Sequence, residues 1–122
     1  IKMGVIYENK VKGIGDMVEA FKDEGMFILF GENAPDTLKD FCYTITVKNA
    51  SDTIAAGQTL EIDGTSYKIL GVGEVMQKNL EALGHITVNF SGDVKAGLPG
   101  AMVVEKAEVP KLTIGSVIRI LS

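Results

Sequence analysis

Hydrophobic and polar residues alternate with a period of two along much of this chain, the pattern of strands with one face buried. Tyr43, Ile45 and Val47 face one way and Thr44, Thr46 and Lys48 the other. Leu60 and Ile62 alternate with Thr59, Glu61 and Asp63. Ile86, Val88 and Phe90 alternate with His85, Thr87 and Asn89, and Ile118 and Ile120 flank Arg119. Met26–Phe30 is apolar throughout, as in a strand covered on both faces. Met3–Tyr7, Tyr67–Val72 and Met102–Val109 are further predicted strands. Between two such runs, Asp63-Gly64 predicts a two-residue hairpin, because both turn positions want positive φ.

Three short helical patterns interrupt the strands. Asp16 is placed to cap the first, with Glu19 three residues on and Gly25 to end it. Asn33-Ala-Pro35 opens the second, with Leu38, Phe41 and Cys42 at helical spacing. Glu74–Leu83 is the third, with Met76, Leu80 and Leu83 on one face and Gly84 to end it. The fold class is therefore mainly β. A closed or nearly closed β-barrel of short strands with two or three short helices is the expected architecture, because closure removes exposed strand edges. A two-sheet sandwich has the same periodicity and stays open as the alternative.

The 122 residues suit a single domain spanning 1–122, long enough for one core without disulfides or metals. No repeat, low-complexity tract or linker divides them. Hydrophobic residues make up 46% and charged residues 23%, ordinary values for a soluble globular domain. The first ten residues show no signal-peptide core, and the apolar runs are too short to span a bilayer, so a cytoplasmic protein without direct membrane insertion is expected. A net charge of −4 and a pI near 4.9 argue against nucleic acid as a partner. The single cysteine excludes an internal disulfide and a cysteine-based zinc site. The single histidine excludes any multi-histidine metal centre, so no metal or other cofactor is expected.

Imidazole chemistry must then fall on His85. A lone histidine is ordinarily a hydrogen-bonded surface residue. Here alternation sets it on the polar face of its strand with Thr87, and Gly84 precedes it. Gly84 can take the left-handed conformation that ends a helix, and without a Cβ it leaves the imidazole open to a large partner. No Gly-x-Ser-x-Gly motif accompanies a general base, and metal ligation would have to rely on carboxylates alone. Carrying a phosphoryl group needs only a neutral imidazole with an exposed nitrogen and nearby donors, a part open to Thr87. Gly71-Val-Gly73 and Gly13-Ile-Gly15 resemble dinucleotide loops only superficially, since Met76 and Val18 stand where the last glycine belongs. Cys42 reads as a small buried hydrophobe.

The segment Asn79-Leu-Glu-Ala-Leu-Gly-His-Ile-Thr-Val-Asn-Phe90 resembles the Asn-Leu-x-x-Leu-Gly-His-Val/Ile-Thr-Leu/Val-x-Phe segment of the glucitol/sorbitol-type enzyme IIA of the bacterial sugar phosphotransferase system. Val5-Ile-Tyr7, Gly31-Glu-Asn-Ala-Pro35 with Leu38 and Phe41-Cys42, Leu98-Pro-Gly100 and Gly115-Ser-Val117 resemble the family in the same order. The resemblance implies a cytoplasmic β-barrel-like phosphotransferase. Such a protein accepts phosphate on histidine from the phosphocarrier HPr and passes it to a cysteine of the cognate enzyme IIB. The membrane permease (IIC) then phosphorylates the incoming hexitol. The site residues so implied are His85 as acceptor, with Thr87 and Gly84 stabilising the phosphoryl group or shaping the site. Some members carry histidines just after the cysteine, which are rival acceptors, whereas this chain reads Cys42-Tyr-Thr-Ile-Thr46. Two readings stay open: transfer through His85, or a non-catalytic barrel that binds or regulates and has lost transfer. Exposed strand edges would allow a homodimer.

Overall fold

The computed structural model describes residues 4–122. Among the described residues, nine strands lie in one hydrogen-bonded order, β1-β9-β5-β6-β8-β7-β3-β4-β2. They are β1 (Val5–Lys10), β2 (Gly13–Ile14), β3 (Met26–Phe30), β4 (Tyr43–Thr44), β5 (Thr59–Ile62), β6 (Thr65–Val72), β7 (Ile86–Asn89), β8 (Ala101–Val104) and β9 (Val117–Leu121). Two α-helices, α1 (Asp36–Lys39) and α2 (Met76–Leu83), and two 3-10 turns, Val18–Glu24 and Val94–Ala96, join them. Most pairs are antiparallel; β3–β4 and β7–β8 are parallel.

The mainly β expectation holds, and a single continuous strand order with one core replaces the sandwich alternative. The ladder itself does not close, which corrects the fully closed barrel. Its two ends, β1 and β2, are successive pieces of one stretch of chain. At the step between them, Val11 N–H donates to Ser116 O (3.0 Å) and Lys12 N–H to Thr44 O (2.8 Å), so the chain leaves one edge of the sheet to become the other. The seam is bridged by a side chain. Asn9 is buried; its amide donates to Thr46 O (2.7 Å) and accepts from Thr46 N–H (3.1 Å), taking the place of a missing backbone rung. The barrel is nearly closed in this sense.

Alternation predicts the core well. Ile86, Val88, Phe90, Leu60, Ile62, Ile118 and Ile120 are all buried. Phe27 packs edge-on to Tyr43 and tilted against Phe90, and Tyr67 packs edge-on to Phe90. Met76 and Leu80 of α2 are fully buried in the same cluster. Asp63 (φ 49°) and Gly64 (φ 86°) make the predicted turn between β5 and β6.

Several boundaries differ. Met3 lies outside the described residues, and β1 runs on to Lys10. The first helix is a 3-10 turn without a side-chain cap: Met17 N–H donates to Asp40 O (2.7 Å), so a tertiary bond replaces capping by Asp16. Gly25 does end it, at φ 77°. Strand pairing of β4 stops at Thr44, because Thr46 turns to Asn9 across the seam. β8 stops at Val104 rather than Val109. Leu38 and Leu83 are exposed rather than on buried faces.

Candidate functional site

α2 ends where the candidate chemistry begins. Gly84 takes φ 69°, and the N–H of His85 donates back to Asn79 O (3.3 Å). The chain then enters β7 directly, with Ile86 and Val88 inward and His85 and Thr87 half-buried on the outer face. β7 pairs with β3 in the register Leu29↔Ile86 and Ile28↔Thr87. One further rung sets Phe30 opposite His85, where cross-strand side chains share a face. The two rings stack there, centroids 4.2 Å apart and planes 24° from parallel. On the other side, Thr87 opposite Ala101 of β8 brings His85 level with Pro99.

The imidazole is oriented by backbone as well. Its Nδ1 lies 3.3 Å from Leu29 O. A carbonyl only accepts, so this bond places the proton on Nδ1 and leaves the Nε2 lone pair free. The single histidine is thus clamped on two sides, by a ring and by a carbonyl, with part of its surface open.

Gly84 has the expected positive φ but a different neighbourhood. It is buried, and a Cβ there would sit 2.8 Å from Gly31 N and 3.5 Å from Ile45 Cγ1. Its bare face therefore admits the backbone leaving β3, where Gly31 N–H donates to Leu83 O (2.9 Å), rather than an approaching partner. Thr87 stands two residues beyond His85 on the same strand face.

The stretch after Cys42 reaches the same place. Ile45 N–H donates to Phe30 O (2.9 Å), Ile45 is fully buried beneath Gly84, and Val47 lies against Gly31. Phe30, Gly31, Ile45 and Val47 are site-forming residues that periodicity alone did not bring to His85. Cys42 is buried, its Sγ 3.2 Å from Leu38 O, and burial pushes its thiol up to about 11. That fits an inert packing residue. Gly73 packs its bare face on the Leu98-Pro99 backbone, 2.1 Å from Pro99 O for a Cβ. Gly71 faces the Val94 side chain instead, 2.9 Å from Val94 Cγ1 for a Cβ, so packing accounts for both glycines. Among the described residues no group of three or more metal-ligating side chains converges, and no helix is long and apolar enough to cross a membrane.

A histidine with one nitrogen pinned and the other free, on the outer face of a β-barrel-like sheet, has the chemistry of a nucleophile in group transfer between proteins. The sequence model of the PTS system glucitol/sorbitol-specific IIA component matches residues 6–119, and the chain belongs to that family. The PTS system glucitol/sorbitol-specific EIIA component of Escherichia coli is 31% identical over 118 residues, which cover 96% of this chain and 95% of that one. Its counterpart in Shigella flexneri is 29% identical over 117 residues, with the same coverage. The crystal structure of a PTS system IIA component from Enterococcus faecalis superposes with a TM-score of 0.83 at 32% identity, over 95% of this chain and all of that one. The chain is a phosphotransferase component of the sugar phosphotransferase system, working between a phosphocarrier and a IIB partner.

Proposed function

We propose that His85 is the phosphoryl acceptor, that HPr is its donor, and that the cognate enzyme IIB receives the group for uptake of glucitol/sorbitol through the IIC permease. The chain acts as one domain, in the cytoplasm. The observation that carries this reading is the bond from Nδ1 to Leu29 O, which presents Nε2 as the nucleophile.

In the first step the Nε2 lone pair attacks the phosphorus of the donor's phosphohistidine. A new N–P bond forms as the donor's N–P bond breaks, and the donor ring keeps that bond's electron pair. The proton stays on Nδ1, where Leu29 O stabilises the positive charge the ring acquires. In the second step the IIB cysteine thiolate attacks the phosphorus, the Nε2–P bond breaks, and its electron pair returns to Nε2. Phe30 holds the ring plane through both steps, and the Thr87 hydroxyl donates to a phosphoryl oxygen. Gly84 contributes by letting the Gly31 backbone pack closely against the turn that leads into His85. Leu83, Val47 and Leu98, at 49%, 42% and 66% exposure, give apolar contact area around a shallow site, in keeping with brief docking of two partners in turn.

The test is intact mass after incubation with phosphoenolpyruvate, the general phosphotransfer protein and HPr. One acid-labile phosphate on the wild-type chain and none on His85→Gln is the expected result. Phosphate retained by His85→Gln overturns the acceptor assignment, and none on the wild type favours a non-catalytic chain.

A further inference from the structure

Between β4 and β5 the chain runs from Ile45 to Gln58 without a strand or helix. Such a segment must find partners for its backbone amides elsewhere. It finds two of them on α2. Glu81 Oε2 accepts from Ala50 N–H (2.9 Å), and Gln77 Oε1 accepts from Ile54 N–H (2.9 Å). Gln77 Nε2 in turn donates to Asp52 O (3.1 Å) and to Glu81 Oε2 (3.3 Å). Gln77 and Glu81 are four residues apart, hence on one helix face. One turn later the same helix delivers Gly84 and His85.

The start of this strap forms one wall of the His85 site. Ile45 is bonded to Phe30 O, and Phe30 stacks on the imidazole. Val47 lies against Gly31, whose N–H is bonded to Leu83 O. The helix that presents the histidine thus also holds the segment that flanks it. We infer that Glu81, with Gln77, is a positioning residue that clasps the Ile45–Gln58 strap to α2 and so fixes the Val47 wall against which a protein partner docks. This rests on the reading of His85 as an acceptor facing a protein donor.

A clasp of this kind lowers the ordering cost of docking without touching the reacting atoms. Glu81→Ala should speed amide exchange at Ala50 and raise KM for phosphorylated HPr about fivefold, with the effect confined to KM. Glu81→Gln keeps an acceptor for Ala50 N–H and should restore both. If Glu81→Ala fails to fold, Gln77→Ala, which removes the acceptor of Ile54 N–H, carries the same test. An unchanged KM despite faster exchange at Ala50, a fall in kcat at unchanged KM, or a Glu81→Gln variant as poor as Glu81→Ala overturns the clasp. Titration with unphosphorylated HPr separates the two readings. Wild type that binds HPr but takes no phosphate refutes the acceptor assignment and leaves weaker binding by Glu81→Ala as the prediction. Equal binding by wild type and Glu81→Ala refutes the clasp.

Discussion

Two stretches of chain, Gly84–Thr87 and Cys42–Val47, converge on the same turn of backbone at Phe30-Gly31, and they differ in what they offer a phosphate donor. The first brings a half-buried imidazole with Nδ1 bound to Leu29 O and one face on Phe30. The second brings a buried thiol, a fully buried Ile45 and an exposed Val47. The second stretch packs, with no imidazole of its own, while the first carries the single histidine of the chain. The place in the fold and the side chain it presents are separable properties: the place is set by Gly31, Gly84 and the β3–β7 register, the imidazole by one residue.

Substitutions can be ranked by how hard they press on that difference. Gly84→Val should have the largest effect on stability. Its Cβ would meet Gly31 N at 2.8 Å, and φ is 69°. A left-handed β-branched residue with a backbone collision should cost about 3 kcal/mol or more, read from urea unfolding. An unchanged urea midpoint would show that the two stretches do not depend on this contact.

Phe30→Leu comes next. It keeps an apolar side chain but removes the ring stacked on His85. Loss of an aromatic pair worth about 1 kcal/mol should slow single-turnover phosphorylation roughly fivefold. A rate equal to wild type would mean the imidazole is oriented by Leu29 O alone. Thr87→Val should slow transfer less, about two- to threefold, by removing one hydroxyl donor to the phosphoryl group. Quenched-flow rates on the two variants order the contributions, and a Thr87→Val defect exceeding that of Phe30→Leu would reverse the ranking.

Near neutral pH the smallest effect belongs to Cys42, whose contribution emerges only in alkali. Its folded-state thiol is raised from 9.0 to about 11, so the native state holds its proton more tightly than the unfolded chain does. Stability is fully present below the unfolded value and falls as pH rises through 9 towards 11. Cys42→Ala should flatten that fall in unfolding curves taken across this window. Tyr7 and Tyr43, also raised by burial, contribute in the same direction at higher pH and are common to both proteins. Identical pH dependence with and without the thiol would contradict its burial.

Much of this architecture is written locally. The turn at Asp63-Gly64 follows from two positive φ angles, the end of α2 from one, and the inward Ile86, Val88 and Phe90 from alternation. His85 stands out because it is the single histidine and falls on the polar face. What local pattern does not contain is partnership at long range. Asn9 looks like any polar residue in a strand until Thr46, 37 residues away, is set beside it to bridge the open seam. Phe30 looks like the last residue of an apolar strand, and only the antiparallel register with β7 turns it into the cover of an imidazole. Asp16 has the right spacing for a cap, yet a bond from Met17 N–H to Asp40 O decides the entry to that turn. Gly84 shows both sides: its φ is legible from its place after a helix, whereas its contact with Gly31 is not.

The central claim is that transfer runs through Nε2 of His85 because Nδ1 is held by Leu29 O. With one histidine in the chain, the imidazole region of a long-range nitrogen–proton NMR spectrum contains a single ring. Recorded before and after phosphorylation by HPr, it should show the proton on Nδ1 in the free protein and phosphate on Nε2 in the product. Phosphate on Nδ1, or a phosphorylated protein whose imidazole signals do not move, would contradict the account.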